Sequence, residues 1–590
     1  MDVFSALHNI KMIHLSLRDT VIIDVASALL VHLIYKRYEF DASRLIISLL
    51  LLVVIPSIPA AFFVPHFSGS TFLAFLSSFT IFYLVLISSI AAYRLSPWHP
   101  LAQYPGPILA KLTKFWGTWM MATGRNHIHL KQMHDAYGPY VRIGPNELSI
   151  VDASVISSVL GSEGMPKGPM WSGRMIKNST PSLLAMRSAH AHAARRKPWN
   201  RAFNSAAVKG YEPIVIKRGL QLVRELEKRT SGVDLAEWIS FFTTDFMGDM
   251  AFGGGFELMR DGGDKEGVWS TIEDGMEFLA VIQHLPWLSP LLFIIPGAMK
   301  NVYRFRTFCR ERVQKRKAHG SLSKDLFYHL IDEDHIEKTP PSTEVVISDG
   351  GLAIVAGSDT TATVLSGIFF FLLTNPSVHA RLQQEIDAAF PLGEGEPFDA
   401  TKLAEMSFLN AVINETLRLQ PPVPTYLQRA PEEGSGGKWI GDRFIPEGTA
   451  VVIPPYVISR DSRYFSPAPD SFWPERWLHP SVIRRTPKQQ ESMAQTPYSS
   501  TLLSSPTLNP DASPDVITNT AAFIPFSYGP ANCAGRALAQ TEMRMIVALL
   551  MQHFSMRFAD GYDPRDWEAH IEDWFTVKKG KLHVVLTPRV

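Results

Sequence analysis

The chain has 590 residues, a formal net charge of +1 and two cysteines, Cys309 and Cys533. The length accommodates a large core plus an N-terminal membrane region. The near-neutral balance lacks the concentrated basic field that nucleic-acid binding requires, and two cysteines cannot build a disulfide framework, which points to a reducing compartment.

Apolar stretches run over residues 21–35, 45–64 and 71–93, and the last two are long enough to cross about 30 Å of hydrocarbon. The first is shorter and carries Asp24 and His32, so a span and an interfacial helix both fit it. Pro56 and Pro59 predict a kink in the second. Lys36, Arg37 and Arg44 follow the first stretch, whereas residues 65–70 hold no Lys or Arg. That asymmetry puts the former segment, and everything after Arg94, on the cytosolic side. Residues 96–107, SPWHPLAQYPGP, read as an extended, stiff connector. Residues 134–152 read as a helix end, a tight turn and two strands at 141–143 and 147–151. The Gly-, Pro-, Ser- and Met-rich segment 165–184 reads as a long loop.

HAHAARRKPWNRAF then places His192 and Arg196 four apart on one helix face and adds Arg195, Lys197 and Arg201. A solvated basic face and an inward anion-binding pair both remain open. Residues 238–256 read as a core helix, 278–299 as apolar and proline-broken, and Cys309 as structural within a basic helical run. Residues 347–373 form a long apolar helix interrupted by AGSDTT at 356–361. An acid and a hydroxyl there either bridge a local helix distortion or handle protons and water, because desolvating them unpaired is costly. Residues 408–424 carry Glu415 and Arg418 at i, i+3 and end at Pro421 and Pro422. A strand, turn and strand follow in FIPEGTAVVIPPYVISRD, then PERW at 474–477 with Arg476. Residues 482–520, rich in Ser, Thr, Pro and Gln, read as a low-complexity surface insertion.

The glycine-punctuated loop FIPFSYGPANCAGR, residues 523–536, delivers Cys533 to the start of a helix beginning near Ala537. Unpaired N–H groups and the peptide dipole at that end favour a thiolate. Gly529 and Gly535 permit close backbone approach. One soft anionic ligand without neighbouring Cys or His suits a haem iron better than zinc; a buried, inert cysteine is the alternative. A helix to about Met551 and a terminal hairpin at 574–586 close the chain.

This loop resembles the haem-binding signature F-x-x-G-x-R-x-C-x-G of the cytochrome P450 family at Phe526, Gly529, Cys533 and Gly535, with Ala531 where the family carries Arg or His. Further motifs resemble that family in order from about Ser96 to the end. The resemblance implies a mainly α fold with a small β subdomain, preceded by N-terminal transmembrane segments: 1–93 membrane region, 94–107 proline-rich hinge, 108–590 catalytic domain. It makes Cys533 the axial ligand of haem b iron and puts His192 and Arg196 on the haem propionates, the other cations of that helix facing an acidic electron donor. Asp359 and Thr360 take the proton-delivering acid and alcohol positions, with Gly357 leaving space for dioxygen. Glu415, Arg418 and Arg476 form a buried structural triad, and Val423, Pro424, Thr425 and Phe575 are the expected substrate-pocket positions.

The implied activity inserts one oxygen atom of O₂ into an apolar organic substrate, a lipid, terpenoid or aromatic compound, in a fungal microsomal setting. Electrons would come from NADPH through NADPH–cytochrome P450 reductase, with cytochrome b5 a further candidate partner. The implied location is the endoplasmic reticulum membrane, facing the cytosol. A haem-thiolate isomerase or dehydratase is the alternative within the fold, against which the Asp359–Thr360 pair argues. A non-enzymatic membrane protein is the alternative outside it, resting only on the N-terminal apolar segments.

Overall fold

Helices α1 (Leu17–Arg37), α2 (Leu45–Phe67) and α3 (Thr71–Leu95) pack side by side at the N-terminus of the computed structural model, burying Ala28, Val31, Leu51, Phe82 and Leu86 between them. The structure describes residues 15–38, 44–175, 179–229, 232–254, 256–292, 295, 297–321, 323–478 and 516–589. The insertion expected over 482–520 lies outside the described residues as far as 515. Both α2 and α3 are long and apolar enough to cross a membrane; α1 is a full helix that carries Asp24 buried against its neighbours. In α2 the expected kink becomes a π-helical turn at Leu50–Val54. Pro56 cannot donate to the Leu52 carbonyl, which instead accepts the Tyr83 hydroxyl at 2.7 Å. Neighbouring helices thereby satisfy backbone groups that proline frees.

The connector differs from the expected extended strap. Residues 96–104 fold into successive turns, with backbone bonds from His99 to Ser96, Ala102 to His99 and Tyr104 to Leu101. Arg142 holds them against the sheet. Its guanidinium donates to the Arg94 carbonyl at 3.0 Å and the Pro145 carbonyl at 2.8 Å and meets His99 Nε2 at 3.2 Å, while its own N–H bonds Pro105 at 2.7 Å. The prolines limit φ, but these local bonds decide the path.

The body is mainly helical. Its principal helices are α4 (Ala189–Ala202), α5 (Leu235–Phe252), α6 (Val268–Ile282), α7 (Lys300–His319), α8 (Thr343–Thr374), α9 (Ser407–Leu419) and α10 (Arg536–His553). The axis is α8, capped by the Ser342 hydroxyl and stopped before Pro376, and it packs against α5, α7, α9 and α10. Although α8 is also long and apolar enough to span a membrane, two-thirds of its apolar window is buried in the protein.

The strands are β1 (Tyr140–Gly144), β2 (Glu147–Ile150), β3 (Val233–Asp234), β4 (Gly437–Ile440), β5 (Arg443–Pro446), β6 (Ala450–Val452), β7 (Phe465–Ser466), β8 (Ile517–Thr518), β9 (Phe554–Phe558), β10 (Glu572–Trp574), β11 (Thr576–Lys578) and β12 (His583–Pro588). The antiparallel β1–β2 pair is extended by parallel pairing of β2 with β6, Leu148 opposite Val451. The C-terminus is not one hairpin. Instead β10 and β11 form a short hairpin, and β12 pairs with β9 and β3. One core cluster surrounds α8 and a second lies on the β1–β2–β6 sheet; Phe523, where the cysteine loop begins, packs against both.

Candidate active site

The cysteine loop is shaped by a glycine that nothing else replaces. Gly529 has φ +71°, and a Cβ there would sit 2.2 Å from the Leu160 carbonyl oxygen. The loop closes through Asn532 N–H to the Gly529 carbonyl at 3.1 Å and Cys533 N–H to the Phe526 carbonyl at 2.9 Å. Helix α10 follows directly, with Gly535 at its cap. The Cys533 side chain lines a cavity of about 480 Å³, whose wall also includes Phe526, Ala531, Gly535, His192 and Thr360. Burial pushes the Cys533 thiol above its ordinary range, against opposing pulls from the Gly535 N–H, Arg196 and Arg536. Helix-start polarity and burial thus pull the thiol in opposite directions.

Four basic side chains, His192, Arg196, Lys167 and Arg429, line the cavity together with Cys533. From α4 come His192 and Arg196; Arg196 donates to the Asn532 carbonyl at 2.8 Å and to Asn532 Oδ1 at 3.1 Å. Lys167 and Arg429, which sequence reasoning missed, pair across an isolated β-bridge, and Lys167 Nζ donates to the Leu183 and Leu184 carbonyls at 3.1 and 2.6 Å. Burial, then Arg429 and Arg196, lower Lys167 to about 7; burial, then Lys167, Arg196 and Arg429, lower His192 to about 4. Among the described residues none of the four forms an ion pair with a carboxylate. Uncompensated positive charge beside a cysteine-lined apolar cavity fits a ring bearing two carboxylates, as haem does. The remaining α4 cations depart from expectation. Arg195 pairs with buried Asp349 at 2.6 Å, where Trp199 Nε1 also donates at 3.1 Å, and Arg201 pairs with Glu337 at 2.6 Å, leaving Lys197 as the exposed one.

On α8, the Thr360 hydroxyl donates to the Ala356 carbonyl at 2.6 Å while its residue lines the cavity. Asp359 lies outside the cavity wall, and Lys579, beyond the β10–β11 hairpin, stands 3.9 Å from its carboxylate. Gly357 does not leave open space along its missing side chain: a Cβ there would meet Met247 Sδ of α5 at 2.5 Å. The glycine permits close packing of two helices.

Glu415, Arg418 and Arg476 are all fully buried and joined. Arg418 donates to both Glu415 oxygens at 2.8 Å, Arg476 Nε donates at 3.0 Å, and the Trp473 N–H and Trp477 Nε1 each donate at 2.9 Å. Burial works against the charge on Glu415, yet the two guanidiniums prevail and hold its carboxyl down at about 2. For Arg476 burial outweighs the pull of Glu415, helped by repulsion from Arg418, and its pKa falls to about 10.

Of the expected pocket positions, Val423 and Phe575 line the cavity and Pro424 and Thr425 do not. Thr425 is sealed away by its bond to Asp573 at 2.8 Å, and the Pro424 carbonyl accepts the Tyr456 N–H at 2.9 Å. The roof is aromatic, with Trp171 edge-on to Phe575 at 5.7 Å.

The sequence model of the family described as Cytochrome P450 matches residues 107–583. The chain is 33 % identical over 513 residues to Cytochrome P450 67 of Uromyces fabae, covering 85 % of this chain and 88 % of that protein. It is also 33 % identical over 522 residues to the cytochrome P450 monooxygenase FCK2 of Fusarium pseudograminearum, covering 87 % and 86 %. Tryprostatin B 6-hydroxylase of Aspergillus fumigatus is 30 % identical over 517 residues, covering 86 % and 84 %. With Cys533 and Thr360 facing one cavity and a family match over most of its length, the chain belongs to the cytochrome P450 family and is a haem-dependent monooxygenase.

Proposed function

We propose that the protein is a membrane-anchored monooxygenase that hydroxylates an organic substrate with a large apolar body, drawing electrons from NADPH through a membrane-bound reductase. The observation that carries this reading is that Cys533 and Thr360 open onto the same largely apolar cavity, beneath the aromatic roof of Trp171 and Phe575. The resemblance to two relatives named as a monooxygenase and a hydroxylase supports the reaction type. The apolar helices α2 and α3 support residence in a membrane, residues 1–93 being the anchor and 108–590 the catalytic domain.

Haem held by Cys533, with its carboxylates toward His192, Arg196, Lys167 and Arg429, would supply dioxygen cleavage and the transferred oxygen atom. The chain's own residues do the rest. Cys533 provides the anionic sulfur, and the cations balance the two carboxylates without a water shell. Thr360 Oγ1 holds a proton at the cavity wall, and Asp359, outside that wall beside Lys579, connects it to the exterior. Val423, Phe575 and Trp171 exclude water from the reacting face.

Cys533→Ala and Thr360→Ala test the assignment because they fail differently. The first abolishes the thiolate-type absorbance of the CO-bound reduced protein and all turnover. The second keeps that absorbance and lowers product formed per NADPH consumed. Full product yield per NADPH in Thr360→Ala would reduce its hydroxyl to a helix-bonding role.

A further inference from the structure

The cavity roof contains a charge that the helix-lined apolar volume does not explain. Within the segment read from sequence as a loop, residues Met170–Gly173 form a helical turn; Arg174 caps it, and its guanidinium lies 4.2 Å over the Phe575 ring. Among the described residues its acceptors are Gln283 Oε1 at 2.8 Å and the Met276 thioether at 3.6 Å. A guanidinium has five N–H donors, so two weakly matched bonds leave most of it unused. Arg174 is half-buried and lines the cavity. Among the described residues no carboxylate pairs with it. Burial alone lowers its pKa to about 10, which still leaves it charged at neutral pH.

Arg174 is also distinct from the cations near Cys533. Arg174 stands over Phe575 and bonds Gln283, whereas Arg196 bonds Asn532, the neighbour of Cys533. Two carboxylates of haem are accounted for by the lower group. The upper cation has no such partner. A buried charge persists at a cavity wall when something with the opposite charge shares the cavity, because its desolvation is otherwise uncompensated. A planar fork with free donors selects a carboxylate in particular.

Building on the monooxygenase reading, we infer that Arg174 is a specificity residue that grips a carboxylate on the substrate. The substrate is then an apolar organic acid, its carboxylate held at the roof between Arg174 and Phe575 and its apolar body extended toward Cys533. Gripping one end in this way fixes which carbon faces the reacting centre, so Arg174 sets the position of oxidation as well as affinity.

The full-length haem-loaded protein is tested by equilibrium dialysis at pH 7 with decanoate and methyl decanoate, compared at matched free concentration. The parent binds the acid at least about tenfold more tightly than the ester. Arg174→Gln loses that preference, Arg174→Lys retains part of it, and both keep the parent's haem content. Equal affinity for acid and ester in the parent overturns the inference, as does an acid preference that survives in Arg174→Gln. Haem loss in Arg174→Gln with Arg174→Lys normal would assign the residue to the haem carboxylates and overturn it too. Should Arg174→Gln not fold, the acid-to-ester ratio of the parent and its change in Arg174→Lys decide. A parent that shows the acid preference without a thiolate-type CO spectrum sinks the monooxygenase reading and leaves the carboxylate grip standing.

Discussion

Replacing Glu415 with glutamine removes one charge and almost no volume from the most completely buried ion cluster in the body. The neutral amide can accept at one oxygen but turns an NH₂ toward a guanidinium, so Arg418 and Arg476 lose their shared counter-charge. Their other bonds, to the carbonyls of Ser459, Ser471 and Ala468, remain and keep the side chains in place. Leaving buried cations unbalanced costs about 3 to 5 kcal/mol. The carboxyl itself gives a consistent figure. Its fall from 4.5 to about 2 on folding corresponds to about 3 kcal/mol at about 1.4 kcal/mol per pH unit. Because the folded pKa is depressed, this contribution is complete above pH 4.5 and is lost as pH falls toward 2. Urea unfolding of parent and Glu415→Gln in the same detergent should therefore differ by a constant amount between pH 5 and 7, with the gap closing under acid. A gap below about 1 kcal/mol at pH 7 would refute the reasoning, since carbonyl acceptors alone would then satisfy both guanidiniums; so would a gap that widens on acidification.

Gly529→Ala forces a Cβ into the Leu160 carbonyl and a non-glycine residue into positive φ, and should lower unfolding stability by more than about 1 kcal/mol and reduce haem content on purification. Ala531→Arg adds a donor at the cavity wall, and haem transfer to apomyoglobin should slow; an unchanged rate means Lys167 and Arg429 already suffice. Lys579→Met frees Asp359 and should lower product per NADPH while leaving the CO spectrum intact; unchanged coupling would show that α8 positions the acid unaided. Removing residues 1–93 should shift the protein from the membrane pellet toward the supernatant with haem retained, and loss of haem would place part of the core in that region.

The elements that sequence made legible were those whose chemistry is written in one short string. Cys533 with Gly529, the β1–β2 pair and the junction of Glu415 and Arg418 all depend on neighbours within a few positions. What stayed hidden depends on partners far along the chain. Arg195 reads as a surface cation until Asp349, on another helix, claims it. Lys579 is unremarkable in a lysine pair near the C-terminus, and only the packing of that segment on α8 brings it to Asp359. Thr425 and Val423 look equivalent in sequence, yet one bonds Asp573 and the other faces the cavity. The prolines of the connector announce restricted φ but carry no information about Arg142, whose bonds bend the segment into turns. Helix-end polarity at Cys533 is local and legible, whereas the burial that opposes it is a property of the assembled cavity.

The clasp that Arg142 makes between the end of α3 and β1 turns a tether into a bracket. A flexible strap would let the body roll over the lipid surface and sample many heights. Here the Arg94 carbonyl of α3, the turns after it and the sheet are bolted through one guanidinium, so a tilt of the helix is a tilt of the sheet. In the proposed membrane-bound state, bilayer thickness then becomes a mechanical input: a thicker or thinner leaflet that re-angles α3 carries the whole body with it and resets the depth at which a lipid-dissolved molecule meets the protein.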